Sequence, residues 1–481
     1  MNTTENKWYK YMTWTMLWLM VLRLIAMWFI PLNETTEARY GEIARKMVET
    51  GDWITLYHDY GVPFWAKPPL STWSSAFFME LFGVNGFWAR FPSLLFAIGT
   101  VLLTGFLVKK REGNNAAIAT MAILASSAMF WIGSATVMTD SALTFSITLS
   151  MVSGWNLFST ESRKTAWAIL FYTGLGLGML AKGPLAPVLI GGAFLPLIIS
   201  SSHCRSKIQR ILNPFGIIVF LLIFIPWYWI SELKTPGFLE YFLIGEHFYR
   251  FTKPGWSGDK YGFAHAVPIG MINVYLIIGT FPWAFVLLSK INKIKQFISP
   301  DWNKNKDWLV FLISWIIVPL AFFSLSRNVI APYILPVMPA FAILTWEMLG
   351  KSTGAKLVGV WVLVQTSIVT ITLSSGAFFM DKIDSSYKLI ATLQENKTQP
   401  AKSYYLSDKR LYSFEFYSNG KAHQLKDIAQ INCKESVYLS LPESDLDKLN
   451  QKCGHSVKYT DLTKNKNKAW VLVQLPSGEL Q

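Results

Sequence analysis

The sequence predicts an α-helical polytopic membrane protein that ends in a small soluble α/β domain. Three observations carry that prediction. Of the 481 residues, 52% are apolar and 15% charged, against about 25% charged in an ordinary soluble domain. Eleven apolar runs approach the roughly 20 residues that cross a ~30 Å hydrocarbon core. Charge is concentrated at the end: residues 381–481 hold 15 Lys/Arg and 12 Asp/Glu, whereas residues 1–380 hold 29 and 18. The expected division is therefore a membrane domain over 1–380 and a soluble domain over 381–481.

The apolar runs lie near 11–31, 87–108, 116–135, 141–158, 166–182, 184–201, 213–231, 268–289, 308–326, 330–350 and 357–380. Gly183-Pro184 separates the fifth from the sixth, and such a pair breaks a helix. The basic connections are Lys7 and Lys10, Lys109-Lys110-Arg111, Arg163-Lys164, Arg205/Lys207/Arg210, Lys290 to Lys306, and Lys351 with Lys356. All fall on one side if every run crosses, and the bias of Lys and Arg toward cytoplasmic loops makes that side the cytoplasm. The N-terminus is then cytoplasmic, while the loops 32–86 and 232–267 and the C-terminal domain face outward. Those connections hold 17 of the 44 cations, so topology accounts for the net charge of +14 and no nucleic-acid partner is expected. The first run carries bulky Trp14, Trp18 and Trp28 with no small-residue cleavage site, so it reads as a retained span.

In the terminal domain, 436–441 and 469–475 read as strands and 387–396 and 444–451 as helices. Cys433 and Cys453 can pair in an oxidising compartment, whereas Cys204 lies in a cytoplasmic connection. The domain shows no phosphate loop, triad-like grouping or metal-ligand spacing, so chemistry is expected elsewhere.

Of the 18 acids in residues 1–380, 12 fall on the outer side, and this directs attention to the outer loops. Residues 37–49 suit a helix lying along the membrane surface, with Ile43, Met47 and Val48 on one side and Glu42, Arg45, Lys46 and Glu49 solvating it. Glu34, Glu37, Arg39 and Lys67 stand at the ends of loop 32–86. Crowded at the bilayer boundary, such groups suit a reaction on a phosphate-bearing lipid: cations hold the phosphate and a carboxylate assists the acceptor or sugar. Asp140 lies between two apolar runs, where an acid is costly unless it pairs or functions; capping the next helix is the bland alternative. Lys182 is a phosphate contact or a snorkelling lysine. Arg250 suits a phosphate clamp, while His247 is an acid/base, a ligand or a hydrogen-bonded loop residue. Arg327-Asn328 and Pro332-Tyr333-Ile334-Leu335-Pro336 close the outer surface, with Tyr333 a donor to phosphate or an interfacial aromatic.

Taken in order, these segments resemble the lipid-carrier-dependent glycosyltransferases of family 39, with the class-C membrane fold. Within that family the likeness is to bacterial transferases that move aminoarabinose from undecaprenyl phosphate onto lipid A. It spans about residues 30–340 and rests on Glu37-Ala38-Arg39-Tyr40, Glu42-Ile43-Ala44-Arg45, Gly51-Asp52-Trp53, Lys67-Pro68-Pro69, Asp140, Lys182-Gly183-Pro184, Glu246-His247 with Arg250, and Pro332 to Pro336. The resemblance implies a multi-pass inner-membrane enzyme performing an inverting transfer on the periplasmic face. It makes Glu37 and Asp140 candidate catalytic acids beside Glu34 and Arg39, and Lys67, Arg250 and Tyr333 carrier-phosphate contacts, with Lys182, His247 and Arg327 in support. The implied partners are a polyprenyl-phosphate-linked sugar donor, a lipid A or other envelope-glycan acceptor, and membrane lipids. No cofactor is assigned, and a divalent metal is left open. This sequence departs from the pattern at one place: Thr36 precedes Glu37 where the family shows an acid, and Glu34 lies two residues earlier, so either Glu34 replaces the missing acid or the reaction does without it. A phosphate acceptor tolerates a weak base because its oxygen is already ionised at neutral pH, unlike a sugar or serine hydroxyl. Transfer to protein Ser/Thr or another glycan is the alternative within the fold. A transporter is disfavoured because the chain shows no repeated halves and its charges cluster at the ends of runs.

Overall fold

The computed structural model describes residues 3–253, 256–262, 266–289, 302–375, 386, 387, 390, 403–434, 437–465 and 468–475. Each of the eleven apolar runs contains helix. Among the described residues, six helices are long and apolar enough to cross a membrane on length and composition: Asn6–Phe29, Gly86–Glu112, Pro214–Lys234, Asn305–Ser324, Ala331–Leu349 and Gly354–Ser374. Two of the other runs are broken. Extended backbone at Ser127 divides 116–135 into Asn114–Ser126 and Ala128–Gly133. Residues 280–282 divide 268–289 into Met271–Gly279 and Trp283–Leu288, and Pro282, which has no N–H to give, opens the second piece.

The chain forms two compact units. The first comprises Met1–Leu24, Asp52–Ser74 and Phe91–Thr370. A short antiparallel hairpin, β1 (Tyr57–Asp59) with β2 (Val62–Pro63), lies in its outer loop. At its centre is Thr139–Ser159, buried along almost its whole length despite its many Ser and Thr residues. Thr144, Ser146 and Thr148 donate their hydroxyls to the carbonyl four residues back, which satisfies them without outside partners. Ser150 donates instead to the Phe171 carbonyl of the neighbouring helix at 2.9 Å. Gly174 permits that approach, because a Cβ there would lie 2.3 Å from Ser150 Oγ. Close contact through small residues is how helices associate where lipid removes the usual apolar driving force. Lys164–Lys182 ends at Gly183, whose φ of 69° favours glycine and whose added Cβ would lie 2.6 Å from the Phe242 ring. The expected break at Gly183-Pro184 therefore separates two helices and brings Lys182 to a helix end.

The second unit comprises Ile25–Gly51, Ser75–Arg90 and Ile371–Gln481. Its sheet contains β3 (Ser403–Leu406), β4 (Ala422–Leu425), β5 (Val437–Pro442), β6 (Tyr459–Asn465) and β7 (Lys468–Leu475), in the order β4-β3-β5-β7-β6. β3 runs parallel to β4 and β5, while β7 is antiparallel to β5 and β6. On β5, Val437, Leu439 and Leu441 pack with Leu446 and Leu449, whereas Tyr438 packs with Tyr405, Phe414 and Trp470. A strand's period of two divides its side chains between two faces in this way, so β5 is covered on both. The sequence's two strands are β5 and β7, and its 444–451 helix is Leu446–Cys453. Of the expected 387–396 helix, all but Tyr387 and Ile390 lies outside the described residues. Cys433 and Cys453 form a disulfide, and Cys204 is buried and free.

One expectation is overturned in this unit. The helix spans Thr36–Thr50, but of the four charges expected to solvate it only Glu49 is exposed. Glu42, Arg45 and Lys46 are buried at 1%, 3% and 1% exposure. Arg45 pairs with Glu42 and Glu49 at 2.7 Å each, and Lys46 lies 3.1 Å from Glu42 and 3.7 Å from Glu415. The helix Tyr412–Tyr417 packs on this face and supplies Glu415, which also accepts from Tyr405 and Arg410.

Candidate active site

In the first unit, the ends of several elements meet around one cavity of about 90 Å³. Lys67 comes from the outer loop, Lys182 from the last residue of Lys164–Lys182, and Glu246 and His247 from the π-helix Tyr241–Tyr249. Arg250 follows that π-helix, and Tyr333 comes from the 3₁₀ turn Ala331–Val337. Leu185, Phe251, Phe322 and Phe323 supply an apolar side, and Ser326 and Asn328 also line the cavity. π-helical turns recur at functional sites, and this one brings residues five apart into register. Tyr241 donates to Glu246 Oε1 at 3.3 Å, and His247 Nδ1 lies 2.7 Å from the Phe242 carbonyl.

Cations and acids alternate through the cluster. Glu246 Oε2 accepts from Lys67 Nζ at 3.0 Å and from Arg250 Nη1 at 2.8 Å. Arg250 Nη2 also lies 3.3 Å from Asp259. Asp140, in the first turn of Thr139–Ser159, holds Lys182 Nζ at 2.6 Å, and that ammonium stands 3.9 Å from the centre of the Tyr333 ring. Burial alone drives the Glu246 carboxyl upward, but the charges of Lys67 and Arg250 outweigh it and hold Glu246 below the ordinary range. Burial likewise opposes the charge on Arg250, and Glu246 with Asp259 reverses this, raising it above its ordinary value. For His247, burial wins: its imidazole lies below 6.5 although the carbonyls of Phe242 and Lys182, the latter 3.1 Å from Nε2, pull upward. The result is a set of basic groups, each paired with an acid, at a small cavity. Charged N–H donors and a phenol converging there suit a phosphate.

The cavity brings together Lys67, Lys182, His247, Arg250 and Tyr333, and Asp140 reaches it through Lys182. Arg327 is exposed, and its carbonyl accepts from Val267 N at 2.9 Å while its neighbours Ser326 and Asn328 line the cavity. Glu34, Glu37 and Arg39 belong to the second unit. There, Arg90 Nε and Nη2 grip both oxygens of Glu37 at 2.7 and 2.8 Å, and the same guanidinium donates to the Met27, Ile30 and Pro31 carbonyls. Arg90 thus caps the end of the first long helix and fixes the start of Thr36–Thr50. Glu34 Oε1 accepts from the Ser413 backbone N–H, and the Arg39 guanidinium lies 5.6 Å from the Tyr40 ring centre. Among the described residues, no group of three or more His, Cys, Asp or Glu stands ready to hold a metal ion.

Sequence reasoning quoted Glu246 as part of a motif without giving it a role, and did not single out Asp259 or Arg90. For Glu246 a signal existed, since it lies four residues before Arg250 on what reads as a helical turn. Arg90 sits at the start of an apolar run, the kind of position that drew attention to Asp140.

The fold and this cavity define a class: a multi-pass membrane protein with the architecture of the lipid-carrier-dependent glycosyltransferases. The structure superposes on ArnT from Cupriavidus metallidurans bound to undecaprenyl phosphate with a TM-score of 0.74 at 16% identity, covering 98% of this chain and 99% of that one. Archaeal oligosaccharyltransferase AglB from Archaeoglobus fulgidus aligns with a TM-score of 0.54 at 12% identity, over 94% and 71% of the two chains. Residues 8–242 match the family described as dolichyl-phosphate-mannose-protein mannosyltransferase. The undecaprenyl phosphate-α-4-amino-4-deoxy-L-arabinose arabinosyl transferase of Serratia proteamaculans (strain 568) is 30% identical over 344 residues, 69% of this chain and 58% of that protein. Its namesake from Yersinia pestis (strain Pestoides F) is 28% identical over 337 residues, 68% and 58% of the two. The chain thus matches little more than half the length of these curated relatives.

Proposed function

We propose that the protein transfers a sugar, an amino sugar of the 4-amino-4-deoxy-L-arabinose type, from undecaprenyl phosphate to lipid A at the periplasmic face of a bacterial inner membrane. The observation that carries this reading is the convergence of Lys67, Lys182, Arg250 and Tyr333 on one cavity. In the reaction, the bond between the sugar's anomeric carbon and the carrier phosphate breaks as an acceptor oxygen bonds to that carbon. The carrier phosphate leaves with the electron pair, and the cations stabilise the charge it gains. Asp140 and Glu37 are both engaged with cations, so neither accepts a proton without giving up part of an ion pair. That arrangement favours an acceptor oxygen that is already ionised, such as a lipid A phosphate. The enrichment of Lys and Arg in the connections assigned to the cytoplasm supports a cytoplasmic N-terminus and a periplasmic C-terminal domain.

The decisive experiment is mass spectrometry of lipid A from cells with and without the gene. Lipid A bearing one additional aminopentose only when the gene is present is the expected result, and identical spectra overturn the acceptor assignment. The family description favours a second reading, transfer to a protein hydroxyl. Glycopeptide analysis of the same cells detects it.

A further inference from the structure

We propose that Glu246 is the countercharge that aims Lys67 and Arg250 at one phosphate and limits how tightly they hold it. The inference rests on reading the cavity as a carrier-phosphate site. Lys67 and Arg250 are 183 residues apart in sequence, yet both reach a single oxygen, Glu246 Oε2. The carboxylate is the more deeply set partner: its side chain is 2% exposed, against 17% for Lys67 and 22% for Arg250. All three side chains line the cavity, with the carboxylate between the two cations.

Two further contacts fix the carboxylate. Tyr241 donates to its other oxygen, and the π-helical winding of Tyr241–Tyr249 places those two side chains together. Asp259 adds a second negative charge beside Arg250. Across the cavity, Asp140 offsets Lys182 in the same way. Each cation on the cavity is thus matched by an acid, although a phosphate would bind most tightly to unmatched cations. Matched charge suits a site that must release its product: after sugar transfer the carrier phosphate carries more negative charge than the donor did, and uncompensated cations would retain it.

The test is direct binding of undecaprenyl phosphate to the full-length protein in detergent, together with steady-state transfer kinetics, in wild type, Glu246→Gln, Glu246→Asp and Arg250→Ala. Glu246→Gln keeps the shape and one acceptor while removing the charge. It is expected to bind the carrier phosphate about tenfold more tightly, with a lower kcat and stronger inhibition by undecaprenyl phosphate. Glu246→Asp should retain wild-type affinity, and Arg250→Ala should weaken binding. A merely structural glutamate gives weaker or unchanged binding in Glu246→Gln while Arg250→Ala is still impaired, and that outcome overturns the proposal but leaves the phosphate site standing. Wild-type affinity in Arg250→Ala instead overturns the site itself, and the proposal with it. If Glu246→Gln does not fold, Asp259→Asn removes the second countercharge: tighter binding supports the proposal and unchanged binding overturns it.

Discussion

The cavity of the first unit and the helix Thr36–Thr50 of the second use the same residue types for opposite ends. Around the cavity, Lys67 and Arg250 keep 17% and 22% of their side chains exposed beside Glu246. On the helix, Arg45, Lys46 and Glu42 are closed off, with side-chain exposures of 4%, 1% and 1%. A cation that retains access to a cavity has donors to spare for a ligand. A sealed one spends them on its neighbours and serves the fold. Exposure of the paired cation therefore separates a binding site from a structural network better than residue type does.

The largest expected effect tests the sealed network. Glu42→Ala leaves Arg45 and Lys46 buried without their shared carboxylate, and removing one partner of a buried ion pair costs about 3–5 kcal/mol. Thermal unfolding of the detergent-purified protein should show a pronounced loss of Tm, or the variant should fail to accumulate. Wild-type melting would erase the contrast between the two regions. The next effect is the converse: Lys67→Ala, which leaves Glu246 its Arg250 partner, should melt nearer wild type than Glu42→Ala, and both Lys67→Ala and Arg250→Ala should bind undecaprenyl phosphate roughly ten- to a hundredfold more weakly, as loss of a charge-assisted bond worth about 1.5–3 kcal/mol requires. Unchanged carrier affinity in both variants would remove them from the phosphate site.

The contrast also shows what was legible in the sequence. Apolar runs and basic connections are local properties, so helix could be read in each of the eleven runs, though the breaks within two of them could not, and the start of Thr36–Thr50 was placed to within one residue. The burial of that helix was not legible, because the surface covering it comes from Tyr412–Tyr417, more than 350 residues along the chain, and no local periodicity encodes a partner so distant. The same limit applied to Glu37. Its position before Arg39-Tyr40 was visible, but the guanidinium that grips it belongs to Arg90. At the cavity, residue chemistry at the ends of runs was enough to pick out Lys67, Asp140, Lys182, Arg250 and Tyr333. Of their countercharges, Glu246 was visible as part of the Glu246-His247 motif but carried no role, and Asp259 looked like an ordinary loop acid.

A smaller effect follows from His247, held neutral by burial below its ordinary 6.5. Below pH 6.5 the unfolded chain takes up a proton that the native site refuses, so native stability falls as the pH falls; above 6.5 the ring is neutral in both states and contributes nothing. One unit below 6.5 the loss is at most about 1.4 kcal/mol. Comparing Tm at pH 7.5 and 5.5, wild type should lose more than His247→Gln. Equal losses would show that the native ring accepts its proton freely.

The smallest effect resolves the two roles open to Tyr333. Its ring faces the Lys182 ammonium at 3.9 Å, while its hydroxyl is one candidate donor to the carrier phosphate. Tyr333→Phe keeps the ring and removes only the hydroxyl, so the expected loss of carrier affinity is that of one neutral hydrogen bond, about 1 kcal/mol or roughly fivefold. Tyr333→Leu removes the aromatic face as well, and a cation held over a partly desolvated ring adds about 0.5–2 kcal/mol. Lys182 would then lose its ring contact while keeping the ion pair with Asp140, and its position at the cavity would loosen. Binding measured in both variants separates the contributions: a larger loss in Leu than in Phe assigns the ring to holding Lys182 in place. If Phe binds the carrier as wild type does, the hydroxyl is not a phosphate donor. If Leu and Phe lose the same amount, the ring does not position the lysine.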